Sequence, residues 1–205
     1  MSSKSLLIIF TRNPELGKVK TRLAKGVGDQ AALDIYKFLL NHTYAITRNL
    51  EVDKEVFYSE NLPENDIWDP SIFNKELQQG EDLGQKMQHA FQLGFENGYK
   101  KLIIIGSDMY DLSSEDIYKA FRSLDTSDFV IGPAEDGGYF LLGMTRLHPQ
   151  IFQNKAWGTS TVLENTLEDL KNENFTLLDE RNDVDHFEDI EHHKDFQQFF
   201  QHIKK

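Results

Sequence analysis

The segment Lys101-Leu-Ile-Ile-Ile-Gly-Ser-Asp108 constrains the fold of this chain more than any other. An unbroken apolar run of strand length that stops at a glycine reads as a strand buried on both faces, and such strands belong to parallel sheets covered by helices. Further apolar runs at 6–10, 54–59, 128–132, 139–144 and 175–178 alternate with stretches of helical period at 29–49, 83–97 and 113–124. Alternation of this kind is expected of an α/β sheet with helices packed against it. Thr161-Val-Leu-Glu164 reads as a capping box for one more helix to about residue 172. Residues 60–76, with Pro63, Trp68 and Pro70, read as loop with one turn of helix. At 205 residues the chain suits one domain spanning 1–205.

In open α/β sheets ligands collect beyond the carboxyl ends of the strands, which is where Asp108 stands. A carboxylate there could cap the next helix, but Ser113-Ser-Glu-Asp116 offers its own capping signal. After the first apolar run comes Thr11-Arg-Asn-Pro-Glu-Leu-Gly-Lys-Val-Lys-Thr-Arg-Leu23, which gathers Arg12, Lys18, Lys20 and Arg22 in one loop. The net charge is −12, so a concentrated cationic loop needs a local reason, and phosphate is the simplest. A solvated basic loop is the plainer alternative. Neither a Walker loop nor G-x-G-x-x-G occurs.

A third segment, Ile131-Gly-Pro-Ala-Glu-Asp-Gly-Gly-Tyr-Phe-Leu-Leu-Gly143, sets Glu135 and Asp136 beside Gly137 and Gly138 between two apolar runs. The carboxylates could coordinate a cation or accept hydrogen bonds from a sugar, and the glycines permit positive φ and close backbone approach. A hairpin with solvated acidic tips would also read this way. A second acidic stretch, from Asp179 to Ile190, follows the last strand and is expected to open a final helix. Asp183 and Asp185 point the same way if that stretch is extended, so one of them could meet Asp108 across a cation; helix capping is the other reading.

Composition excludes several classes. There are no cysteines, so disulfides and thiolate metal sites are impossible. The amino-terminal apolar run is too short for a signal peptide or membrane span, and no basic amphipathic helix appears, so a cytoplasmic protein without membrane contact is expected. Net acidity argues against nucleic acid as a partner. His192 and His193 would face different sides of a helix and read as surface. The sequence leaves the oligomeric state open.

Taken in order, Pro14-x-x-Gly-Lys-Val-Lys-Thr-Arg-Leu23, Asp82-Leu-Gly84, Gly106-Ser-Asp108, Gly132-Pro-Ala-Glu-Asp-Gly-Gly-Tyr139, Trp157-Gly-Thr and Asp183-Val-Asp185 resemble the rSAM/selenodomain-associated transferase family. That family belongs to the nucleotide-diphospho-sugar transferase superfamily with the GT-A fold, and the match runs through nearly the whole chain. The resemblance implies a three-layer α/β/α architecture with a mixed, mainly parallel sheet. It implies a transferase that takes a nucleotide or nucleotide-sugar donor and a small-molecule acceptor, with Mg²⁺ or Mn²⁺ held by Asp108 and Asp185, Asp183 being the substitute. Lys18, Lys20 and Arg22 match the phosphate-contacting loop, and Arg12, Gly84, Lys86, Gly137 and Gly138 join them as candidate nucleotide or phosphate contacts. Glu135 or Asp136 would orient or deprotonate the acceptor hydroxyl. Glycosyl transfer is favoured over nucleotidyl transfer on the resemblance alone, and a non-catalytic nucleotide-binding module is the remaining alternative. Two positions depart from the family pattern: Tyr110 stands where proline is usual, and Lys86 where arginine is.

Overall fold

The structure, a computed structural model, describes residues 4–200. Seven strands form one sheet in the order β3-β2-β1-β4-β6-β5-β7, where β1 is Ser5–Thr11, β2 Asp53–Tyr58, β3 Asn74–Leu77, β4 Lys101–Gly106, β5 Phe129–Pro133, β6 Tyr139–Met144 and β7 Phe175–Leu177. Every neighbouring pair is parallel except the two made by β6, which runs against β4 and β5. The sheet is therefore mixed and mostly parallel, as the buried strand at 101–106 and the resemblance both led one to expect.

Side chains alternate along the central strands. Leu7, Ile9, Ile103 and Ile105 pack with Tyr36, Leu40, Ile117 and Phe121 on one face. These come from α2 (Asp29–Thr47) and α4 (Ser114–Ser123). Leu6, Ile8, Leu102 and Ile104 meet Met87, Ala90 and Phe91 of α3 (Leu83–Glu96) on the other face. Burial on both faces explains why these strands read as continuous apolar runs. A third cluster joins Leu23 and Val27 of α1 (Thr21–Val27) and Ile35 and Leu39 of α2 to Val184, Ile190, Phe196 and Phe200 of the carboxyl-terminal segment.

Several sequence expectations need correction. Residues 60–76 are not wholly loop, because β3 begins at Asn74 and adds an edge strand parallel to β2. Its four residues are mostly exposed and carry no apolar alternation, so pattern could not reveal it. Thr161 makes no side-chain cap at the start of α5 (Val162–Asp169), which ends earlier than residue 172. The Leu163 amide donates instead to the Gly137 carbonyl at 2.9 Å. The acidic stretch from Asp179 does not open a helix at Ile190. A 3₁₀ turn at Lys194–Phe196 and α6 (Gln197–Phe200) follow only later. The Asp189 carboxylate holds that stretch in a turn, accepting from the backbone amides of Asp185 at 2.9 Å and His186 at 2.6 Å and from the Asn182 side chain at 3.1 Å.

Candidate functional site

The chain passes from β1 outward to β2 and β3, then returns to place β4 on the other side of β1. A parallel sheet leaves a crevice at such a reversal, outside the carboxyl ends of the two strands. There a cavity of about 720 Å³ is lined by Thr11, Arg12 and Asn13 after β1, Ser107 and Asp108 after β4, Lys18, Lys20 and Arg22 around the start of α1, Lys86 on α3, and Asp185. Ser59, Glu60, Gln78 and Glu81 line its far end, beyond β2 and β3.

Lys20 is the side chain around which the charges are arranged. It precedes α1 with φ 47° and ψ 44°, a left-handed conformation that an L residue with a long side chain seldom adopts. Its side chain is only 5% exposed, and the ammonium donates to Asp108 Oδ2 at 2.8 Å. Burial alone would lower the Lys20 pKa, but Asp108, with Asp183 and Asp185 behind it, holds it above the ordinary lysine value. Burial would likewise raise Asp108, and Lys20 with help from Arg12 keeps it below the usual carboxylate range. Arg22 lies two residues further on, inside α1 and not in the preceding loop, and its Nη1 donates to Asp185 Oδ2 at 2.6 Å. Lys18 at the rim pairs with Glu15 at 2.7 Å and Glu60 at 3.3 Å.

Asp183 completes the group. Burial pushes its carboxyl up to about 6; Lys20 pulls the other way, while the charges of Asp108, Asp136 and Asp185 add to the rise. The fold thus brings Asp108, Asp183 and Asp185 into one electrostatic neighbourhood with Lys20 and Arg22, although they come from three distant stretches of chain. Among the described residues no three His, Cys, Asp or Glu side chains stand close enough to form a ready metal shell. The donor chemistry still fits a hard divalent cation. The candidate ligands are all carboxylate oxygens, the charges of Asp108 and Asp185 act on Asp183, and phosphate oxygens and water can fill the remaining positions of an octahedral shell.

The other sequence candidates lie further out. Asp136 is exposed and its Oδ1 accepts from the Gly138 amide at 2.8 Å, while its charge is felt by both Arg22 and Asp183. Glu135 is exposed, and its backbone amide donates to the Arg181 carbonyl at 3.0 Å. Neither lines the cavity. Gly137 has φ 85°, and a Cβ there would lie 2.6 Å from Ser160 Cα, so the close approach it permits is to the protein's own backbone. Gly138 does not have positive φ. Gly84 is buried, and a Cβ on it would lie 2.5 Å from the Trp157 ring, which places it in the packing of α3 against the 152–157 stretch. Its neighbours Leu83 and Lys86 face the cavity.

Tyr36 escaped the sequence reading. It lies on the buried stripe of α2, where periodicity marks it as core, but its hydroxyl reaches the cavity floor. There it accepts from the Arg12 amide at 2.8 Å and hydrogen-bonds Thr11 and Ser107, both at 3.2 Å, joining the ends of β1 and β4. Asn13 was also missed. Its Nδ2 donates to the Asn61 carbonyl at 2.9 Å and ties the β1 loop to the one after β2.

A family model described as "Uncharacterized protein conserved in bacteria (DUF2064)" matches residues 42–159. No curated protein matches the chain. Among solved structures, one from Desulfovibrio desulfuricans G20, named a "putative nucleotide-diphospho-sugar transferase", is 33% identical and superposes with a TM-score of 0.83 over 90% of this chain and 83% of its own. The inositol-1-phosphate CTP transferase of T. maritima shares the fold at 13% identity, with a TM-score of 0.57 over 97% of this chain and 96% of its own. The 4-diphosphocytidyl-2C-methyl-D-erythritol synthase of Anaerococcus prevotii DSM 20548 does so at 8% identity, with a TM-score of 0.56 over 99% and 97%. Among the described residues no helix is long and apolar enough to cross a membrane.

Proposed function

The chain belongs to the DUF2064 family of proteins conserved in bacteria, and from its site we propose that it is a metal-dependent transferase acting on an activated nucleotide. The observation that carries this reading is the pairing of Lys20 with Asp108 inside a cavity that also holds Arg12, Lys18, Arg22 and Lys86. Five cations around one crevice suit a diphosphate or triphosphate, whose charge needs several donors at once. The name carried by the 33% identical D. desulfuricans protein supports the same substrate class, and the motif order supports placing the chain among the rSAM/selenodomain-associated transferases.

In this reading Asp108, with Asp183 or Asp185, would hold Mg²⁺ or Mn²⁺. When bound, the divalent cation neutralises charge on the diphosphate as a Lewis acid. Lys20 and Arg22 are held by carboxylates in the free protein and turn to phosphate oxygens when the donor arrives. Fixed donors aimed at the departing phosphate are the main catalytic requirement of such transfers. Asp136, exposed at the turn after β5 and close enough for its charge to reach Asp183, orients the acceptor hydroxyl. Tyr36 holds the Arg12 backbone at the cavity floor and so keeps the two strand ends in place.

Glycosyl transfer from a nucleotide-diphospho-sugar is the preferred chemistry. Nucleotidyl transfer is the second reading, favoured by the number of cations, which is enough for a triphosphate, and by the inositol-1-phosphate CTP transferase that shares the fold over nearly its full length. The two separate in a product assay with nucleotide sugars and nucleoside triphosphates, each with and without Mn²⁺. Release of a nucleoside diphosphate supports the first and release of pyrophosphate the second. Binding of donors with no turnover of any, in the presence of varied acceptors, would leave only a binding module.

A further inference from the structure

We propose that Tyr110 is a positioning residue that sets the distance between Asp108 and the carboxylates of the carboxyl-terminal segment. The inference rests on the metal-dependent reading above. A cation held by Asp108 on one side and Asp183 or Asp185 on the other needs two stretches of chain, separated by about one third of the sequence, to keep a constant spacing.

The loop that carries Asp108 is fastened to α2 at both ends. Thr43 Oγ1 donates to the Ser107 carbonyl at 3.2 Å, and His42 Nε2 lies 2.9 Å from the Leu112 carbonyl. Between these points Tyr110 lies against α2 and reaches the carboxyl-terminal segment. Its hydroxyl donates to Asp195 Oδ2 at 2.6 Å. Its ring stands edge-on to His193 and Phe196, with centroids 5.1 and 4.9 Å away, and also contacts His42 and Phe38 of α2 at 4.9 and 5.5 Å. One side chain therefore joins the Asp108 loop, α2 and the segment that follows Asp183 and Asp185.

That segment is anchored by Val184, between the two aspartates, which packs with Leu23 and Val27 of α1 and Ile35 of α2, and Tyr110 is a side chain of the Asp108 loop that joins the same cluster. Asp183 and Asp185 lie between the Ala134–Arg181 bridge and Ile190 in the apolar cluster, and the Asp189 turn fixes only their local shape. The site's own tie, Arg22 to Asp185, is the contact that donor binding would break. Once it breaks, the packing of Val184 and the Tyr110–Asp195 contact remain to hold the spacing. A proline two residues after the aspartate would stiffen the loop through its fixed φ. Tyrosine gives no such restraint, and a bond to the second half of the site takes its place. His193 Nδ1 supports the point. It is buried, 3.8 Å from Asp195 Oδ2, without a hydrogen bond, so the packing around Tyr110 is kept at the expense of a polar group.

The test is Mn²⁺ affinity, measured by water proton relaxation with inorganic pyrophosphate present, on the full chain. Tyr110→Phe and Asp195→Ala each remove one hydrogen bond and are expected to weaken Mn²⁺ by about 5-fold. The double variant should be no weaker than either single one. Tyr110→Ala, which also removes the ring, should weaken it by about 10-fold or more, as loss of supporting groups does in metal sites. Phe199→Leu, in the same aromatic cluster but without contact to the Asp108 loop, should lower the melting temperature and leave Mn²⁺ affinity unchanged. If the wild-type protein binds Mn²⁺ and the Tyr110→Phe and Asp195→Ala variants bind it equally well, the positioning role is wrong while the metal reading stands. If the wild-type protein binds none, both are wrong.

Discussion

Lys20 donates to Asp108 across 88 residues of sequence, and it does so from a strained backbone. The left-handed conformation costs about 1–2 kcal/mol for such a residue, so the surroundings must hold it there. Lys20→Met keeps the stem and removes the charge. It should destabilise the fold by about 1–3 kcal/mol in urea unfolding. That is less than a fully buried pair would lose, because the Asp108 side chain is 38% exposed. Donor turnover should fall by about 100-fold or more if the ammonium aids phosphate departure. Turnover at the wild-type rate would remove Lys20 from the phosphate site.

Legibility of the fold tracked burial. The strands at 101–106 and 129–133 announced themselves because water touches neither face, whereas Asn74–Leu77 gave no sign because an exposed edge strand needs no apolar pattern. Among site residues, charge clustering singled out Lys20 and Arg22, and a place at the carboxyl end of a buried strand singled out Asp108; the fold gathers all three at one crevice. Tyr36 was hidden by its position on a core stripe, since periodicity reports where a ring lies and not what its hydroxyl does. Gly84 and Gly137 invited a ligand reading, but a sequence cannot tell a backbone that approaches a substrate from one that approaches Trp157 or Ser160.

That distinction is testable at the acidic turn. Gly137→Ala places a methyl group against Ser160 and forces positive φ on alanine, for a combined cost of about 2–4 kcal/mol. Gly138→Ala meets only the Asp136 side chain, its Oδ1 at 3.1 Å, which is exposed and can shift at the expense of its hydrogen bond from the Gly138 amide, and should cost less than about 1 kcal/mol. Denaturant midpoints for the two variants should differ clearly. Equal midpoints would mean that the Ser160 contact is easily relieved.

Asp183 and Asp185 differ in what they touch, and this separates their roles. Asp185 is bound by Arg22, whereas Asp183 sits among carboxylates with Lys20 nearby. Asp108→Asn should abolish metal-dependent donor binding in calorimetry. Whichever of Asp183→Asn and Asp185→Asn produces a similar loss is the second ligand. Retention of Mn²⁺-dependent binding in all three variants would place the cation elsewhere.

Asp116 gives a pH signature remote from the site. Burial would raise its carboxyl, but hydrogen bonds from the Ser113 hydroxyl and amide, together with Arg181 at 2.7 Å, hold it below the ordinary value. A carboxyl lowered in the folded state contributes stability that is fully present above its unfolded pKa of about 3.9 and is lost as pH falls through the folded value. Asp116 both caps α4 and pairs with Arg181, whose backbone bridges Ala134 at the base of the acidic turn. Asp116→Asn should therefore destabilise the protein by about 1–2 kcal/mol at pH 7. The gap from wild type should narrow progressively below about pH 4. Melting curves of the two proteins between pH 7 and pH 3 measure it directly, and a gap that stays constant across that range would show that the ionised carboxylate adds nothing beyond its shape.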